Sequence, residues 1–134
     1  MLLTETRNII EFDFGSIELK NGVLIQSYNE NITVDMNKVH LIQQGVKELT
    51  KEKNTPFLIN GNHGVQPTLE VRKYGSTKKG NKYISALAIF IIKGNIAHRL
   101  YGNMILNLDK RPIPTKLFTN KEKAIKWLKQ FIDS

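Results

Sequence analysis

Arg72, Lys73, Lys78, Lys79 and Lys82 place five cations within eleven residues, with no acid among them and with Tyr74 and Tyr83 inside or beside the run. Cations interleaved with aromatic rings can hold an anion or a nucleic-acid strand. That chemistry is binding, since no base or nucleophile is supplied with it. The ordinary alternative is a solvated, lysine-rich surface. The histidines are His40, His63 and His98, and no two lie three or four residues apart, so no helical metal pair can form. His63 is the best placed, because it follows a strand-like run, and ligands of open α/β sheets bind beyond the carboxyl ends of strands. Ser76 and Ser85 lack the glycine frame of a nucleophile elbow. Gly61, Gly64, Gly75 and Gly80 match neither a P-loop nor a dinucleotide fingerprint. Cysteine is absent, which excludes disulfides, iron–sulfur clusters and thiolate zinc sites. The acids are scattered, which disfavours paired-carboxylate catalysis. The expectation is therefore a protein that is not an enzyme and carries no metal or organic cofactor.

The elements that would position these residues can be read from periodicity and turn chemistry. Residues 9–14 alternate apolar and acidic side chains, and residues 16–20 are a second strand candidate. Asn21-Gly22 is a strong two-residue hairpin signal, with residues 23–28 as the return strand. Thr33 can cap a helix with Asp35 in its first turn; Val39, Ile42, Val46 and Leu49 then give that helix one buried face. Phe57-Leu58-Ile59 is wholly apolar, as in a central strand covered on both sides. Residues 61–64 form a tight loop. Residues 68–74 are a helix candidate, followed by a polar, mobile loop over 75–81. Residues 84–92 are the most hydrophobic segment and the expected middle strand. Ile96, Leu100, Met104 and Leu108 mark a helix over 95–108.

At the C-terminal end, Pro112 and Pro114 bar a continuous helix. Residues 116–118 can then be an edge strand. Thr119 and Glu122 read as a capping box opening an amphipathic helix. Trp127 and Leu128 are expected to be largely buried on it, with Lys123 and Lys126 facing solvent. The element order is β-β-α-β-α-β-α-β-α, which implies a mainly parallel sheet with an antiparallel start.

Length and charge bound the rest. The 134 residues are expected to form one domain, residues 1–134, large enough for a real core. The longest apolar run is strand-sized, well short of a membrane span. The first ten residues do not read as a secretion signal, so a cytoplasmic protein is expected. Residues 1–71 carry six basic and nine acidic groups, whereas residues 72–134 carry fourteen and three. Such asymmetry suits an acidic partner, an anionic surface or nucleic acid. With only four arginines, the chain is poorly equipped for specific phosphate or base readout.

Five segments carry a resemblance to a known family. They are Ile17-Glu18-Leu19-Lys20-Asn21-Gly22-Val23-Leu24, Ile32-Thr33-Val34, Pro56-Phe57-Leu58-Ile59, Gly102-Asn103, and Pro112-Ile113-Pro114-Thr115-Lys116-Leu117-Phe118-Thr119 with Ala124, Trp127 and Leu128. With the element order, they make the chain resemble the small bacterial SpoIIAA-like proteins. That branch is related to STAS domains, the anti-sigma-factor antagonists, and is sometimes compared with CRAL-TRIO lipid-binding domains. Within it, the chain looks like a group of uncharacterised single-domain proteins. The resemblance implies an α/β fold with a SpoIIAA-like sheet of about five strands, mainly parallel with an antiparallel N-terminal hairpin, packed by about four helices. It also implies interaction rather than catalysis. Phosphoregulated STAS domains carry a switch serine at the start of the helix after the central strand. The matching region here, residues 61–72, has no Asp-Ser pair, and Thr68 is its one hydroxyl.

The functional expectation is a non-enzymatic interaction or regulatory module. Its expected surface is Asn62, His63, Thr68, Arg72, Lys73, Lys78, Lys79 and Lys82, and its expected partner is another protein. A weak anionic ligand and self-association are further possibilities. The alternatives are a small-molecule or lipid carrier with an apolar pocket between sheet and helices, and a weak, nonspecific nucleic-acid binder using the basic C-terminal half.

Overall fold

Asn21 and Gly22 both adopt left-handed backbone angles, with φ of 52° and 83°. Two such residues make a tight turn whose twist matches that of the strands it joins. The turn closes the hairpin of β2 (Gly15–Lys20) and β3 (Val23–Tyr28), whose last pair is Lys20 with Val23. β1 (Ile9–Phe12) lies antiparallel on the other side of β2, so the expected hairpin is part of a three-stranded meander. The structure, a computed structural model, describes residues 8–91 and 111–132.

Beyond the meander the elements alternate. They are β4 (Thr33–Val34), α1 (Met36–Thr50), β5 (Thr55–Asn60), β6 (Gln66–Pro67), α2 (Leu69–Tyr74), a 3-10 turn (Lys79–Asn81), β7 (Ile84–Phe90), β8 (Thr115–Phe118) and α3 (Lys121–Lys129). The main sheet runs β1-β2-β3-β5-β7-β8. β3, β5, β7 and β8 are parallel to one another, with Leu58 beside Ala88 and Ile89 beside Leu117. The expected central strands are therefore neighbours, and β8 is an edge. Six strands take part rather than five. Among the described residues there are three α-helices rather than four. The helix expected over 95–108, with His98 and Gly102-Asn103, lies outside the described residues.

Thr33 does not cap α1. With Val34 it forms β4, which pairs in parallel with β6 in a separate two-stranded ladder. β-branched residues favour that extended conformation. The cap is Asp35, whose carboxylate accepts the Lys38 backbone N–H at 3.0 Å. That bond, with the nearby Lys38 ammonium adding to it, holds the Asp35 carboxyl below its usual pKa. A depressed folded-state pKa stabilises the fold above the unfolded value, about pH 4, and the gain is lost as pH falls through the lowered value. Denaturation midpoints of Asp35→Asn should therefore fall less between about pH 7 and pH 3 than those of the parent. An equal fall would contradict this role.

The sheet separates two cores. Phe14, Ile17, Leu24, Phe57, Leu87 and Ile89 share one face with Ile42 and Val46 of α1. Val23, Leu58, Ala86 and Ala88 share the other with Ala124 and Leu128 of α3. Phe57 and Leu58, like Leu87 and Ala88, fall on opposite faces because strand side chains alternate. The small Ala86, Ala88 and Ala124 let α3 lie close to the sheet. Pro56 sits within buried β5, where a proline is tolerated because the register with β7 slips between Thr55 and Phe57.

Candidate functional site

Thr68 fixes where the candidate site begins. Its hydroxyl accepts the N–H of Val71 at 3.2 Å, and its own N–H donates to the Val34 carbonyl at 3.0 Å. α2 thus starts at Leu69, one residue after the expected start, with Thr68 as its cap, and it is anchored to the β4–β6 ladder. None of its six residues is buried, and so short a helix has little stability of its own. The segment after it supplies the support.

That segment, read from sequence as a mobile loop, is a cross-linked turn. The Thr77 hydroxyl donates to the Tyr74 carbonyl at 2.6 Å and accepts the Gly80 N–H at 3.0 Å. Asn81, only 7% exposed, donates its carboxamide N–H groups to the carbonyls of Thr77 at 2.6 Å and Gly75 at 2.9 Å. Arg111 Nη1 donates to the same Gly75 carbonyl at 2.9 Å. The Tyr74 hydroxyl donates to Gln43 Oε1 at 3.1 Å, and Gln43 Nε2 donates to the Lys79 carbonyl at 3.2 Å, which ties the turn to α1. Gly80 cannot be larger, because a Cβ there would collide with the Tyr74 carbonyl oxygen. Polar composition suggested mobility, but here the polar atoms bond to one another.

Behind this platform, between α1, α2 and the sheet, lies a cavity of about 150 Å³. Val39, Ile42 and Val46 of α1 and Leu87 and Ile89 of β7 provide apolar walls. Gln26, Arg72 and Arg111 also line it. Gln26 is 3% exposed. Arg72 Nε is buried without a partner. Burial lowers the pKa of Arg111, whose hydrogen bond goes to a neutral carbonyl. The one ion pair among the described residues is Lys38 with Asp35, so neither arginine is matched by a carboxylate there.

The residues singled out from sequence divide between the two ends of the parallel strands. Asn62 and His63 follow β5 at its carboxyl end. Asn62 donates to the Tyr28 carbonyl at 3.2 Å and accepts the His63 N–H at 2.7 Å, so it shapes the loop. The His63 side chain is exposed. Lys78, Lys79 and Lys82 precede β7, at the opposite end. They and Lys73 are exposed, with Lys82 Nζ 5.2 Å from the Tyr83 ring centroid. Arg72 departs from this exposed group, since its Nε faces inward. Gln26, Gln43 and Arg111 went unremarked in the sequence. A lone glutamine in the strand Val23-Leu24-Ile25-Gln26 was the one local signal. Nothing local marks Arg111, whose partner Gly75 is distant in the chain.

The arrangement offers oriented cations, a buried amide and apolar walls, which suit binding. Among the described residues no group of His, Asp or Glu could hold a metal ion, and no helix is long and apolar enough to cross a membrane.

Residues 17–132 match the family described as "Domain of unknown function (DUF7793)". The fold is similar to that of an uncharacterised protein of the DUF3478 family, with a SpoIIAA-like fold, from Shewanella loihica PV-4. The TM-score is 0.56 at 17% identity, covering 96% of this chain and 99% of that one. This likeness shows a SpoIIAA-like fold, as the sequence resemblance implied. A protein of unknown function from Arthrobacter sp. FB24 matches at a TM-score of 0.31 and 20% identity, over 84% of this chain and 97% of that one, too distant to bear on the fold. No curated protein matches the sequence.

Proposed function

We propose that this chain, which belongs to the DUF7793 family, is a non-enzymatic interaction or regulatory module that docks an acidic protein surface on the α2 platform. One observation carries the reading: Lys73, Lys78 and Lys79 are exposed on a segment held in shape by its own hydrogen bonds. Charges on a preformed surface lose less entropy on docking than charges on a loose loop. The strongly basic balance of residues 72–134 supports an acidic partner. A cytoplasmic setting belongs to the same proposal, on the absence of cysteine.

The test uses a fluorescent polyglutamate peptide and the full chain. Binding should weaken as salt rises, since exposed charges are screened over about 8–10 Å. Replacing Lys73, Lys78 and Lys79 together by glutamine should weaken it about tenfold, as three exposed ion pairs would. Lys82 is left in place because it also lines the cavity. Absence of binding at low salt, or equal binding by the variant, would overturn the proposal. So would tighter binding of single-stranded DNA or anionic vesicles than of the peptide.

The cavity favours a second reading, the carrier of a small molecule, because it is apolar-walled and lies between sheet and helices.

A further inference from the structure

We infer that the cavity behind α2 is a binding site for a small organic carboxylate, whose compact apolar body packs between α1 and β7 and whose anionic end is met by Arg72, Arg111 and Gln26. The inference rests on the carrier reading and names its ligand class.

Three observations converge. The first is size: a cavity of about 150 Å³ holds one ring-sized or branched aliphatic group, since apolar engineered cavities of that volume take up benzene. The second is lining: Val39, Ile42, Val46, Leu87 and Ile89 form walls on which an apolar body can displace nothing but weakly held water. The third is unmet polarity. Buried polar groups are normally hydrogen-bonded, and those that are not call for an explanation. Here Arg72 Nε is buried without a partner, and the Gln26 carboxamide belongs to a residue only 3% exposed that lines the same cavity. Arg111 is half-desolvated with one neutral acceptor. All three residues line the same space, and no acid among the described residues answers the two guanidiniums.

The chemistry of these groups selects the ligand. A guanidinium presents parallel N–H donors whose fork matches a carboxylate. Gln26 adds two further donors. A neutral apolar ligand would leave the buried Arg72 Nε unpaired. Inorganic phosphate would satisfy the donors but leave the apolar walls without contact.

Isothermal titration of the full chain tests this with benzoate and 3-methylbutanoate as probes, and with benzamide and inorganic phosphate beside them. At least one carboxylate should bind saturably, and benzamide and phosphate should bind at least about tenfold more weakly, the loss expected when a charge-assisted pair or the apolar body is removed. Arg72→Gln should weaken carboxylate binding at least about tenfold. Ile42→Phe, which fills the cavity with an apolar ring, should abolish binding with the thermal midpoint kept. Both variants leave every described side-chain hydrogen bond of the fold intact, so they remain decisive if Arg111→Gln fails to fold. The Lys78→Gln, Lys79→Gln double variant should bind carboxylate as the parent does, which separates this site from protein docking on the platform. No heat beyond dilution with either carboxylate would overturn the carboxylate assignment but leave peptide docking untouched. Equal binding of benzamide or phosphate, or full binding by Ile42→Phe, would also overturn it.

Discussion

Leu128→Ala should destabilise the domain by about 3–4 kcal/mol and lower its thermal midpoint by about 10–15 °C. Leu128 is fully buried and packs with Val23, Leu58, Ala86, Ala88 and Ala124. Three of those neighbours are alanines, which have no rotatable atoms to move into the space left behind. A cavity that cannot collapse adds its own penalty to the lost transfer free energy. Trp127→Ala is the informative comparison. From sequence both residues were expected to be largely buried; Leu128 is wholly so, whereas Trp127 keeps part of its ring exposed. Its ring lies against Phe118 and Phe131, with centroids 5.6 and 4.9 Å away. Its truncation should cost about 1–2 kcal/mol, below the 3–5 kcal/mol of an enclosed aromatic, because water already reaches part of the ring. Urea denaturation of the two variants measures the difference. If Trp127→Ala proves the more damaging, the packing of α3 has been misread.

Asn81→Ala should cost about 2–4 kcal/mol, since it strips hydrogen bonds from two carbonyls in a part-buried turn. The Thr77 carbonyl loses its Asn81 partner, and the Gly75 carbonyl retains only Arg111. The loss should appear first in amide hydrogen exchange of residues 75–81. Asn81→Asp should give no rescue, because a carboxylate can only accept and would face two carbonyl oxygens. A near-parental Asn81→Asp would show that the side chain fills space and does not bridge. Through Gly75 and Arg111 the same variants should weaken carboxylate uptake in the cavity, linking the platform outside to the site within.

The residues proposed for binding show where the sequence was informative. Lys73, Lys78 and Lys79 stood out as a cluster and are exposed. Arg72, in the same run, turns inward, because its place on the last turn of α2 sets its side chain against the cavity while the next residue, Lys73, is exposed. Charge clustering reports composition along the chain, and the direction of a side chain depends on the element that carries it. The presumed surface also spans both ends of the parallel strands, since α2 runs back along the sheet from Thr68 to Tyr74.

The sequence by itself determined the elements whose causes are local. Asn21-Gly22 sets a turn through its own backbone preferences. Phe57-Leu58-Ile59 and the run around Ala86–Ile91 can be satisfied only inside a sheet, and the 3.6-residue spacing of Val39, Ile42, Val46 and Leu49 specifies a helix with one apolar face. Caps that were read from sequence were legible to within a residue or two: Asp35 takes the place of Thr33, and Asn120, whose side chain accepts the Lys123 N–H at 2.9 Å, takes that of Thr119. Only the tertiary structure decided which nearby polar residue would cap, because Thr33 was claimed by the β4–β6 ladder. It likewise decided that residues 75–81 are held firmly, that Gln26 faces a cavity, and that Arg111 reaches Gly75. The ties of the turn to Gln43 and Arg111, and the burial of Gln26, join residues far apart in the chain, and no window of sequence contains both partners. The bonds within 75–81 are local, but composition alone does not say that its polar groups pair with one another.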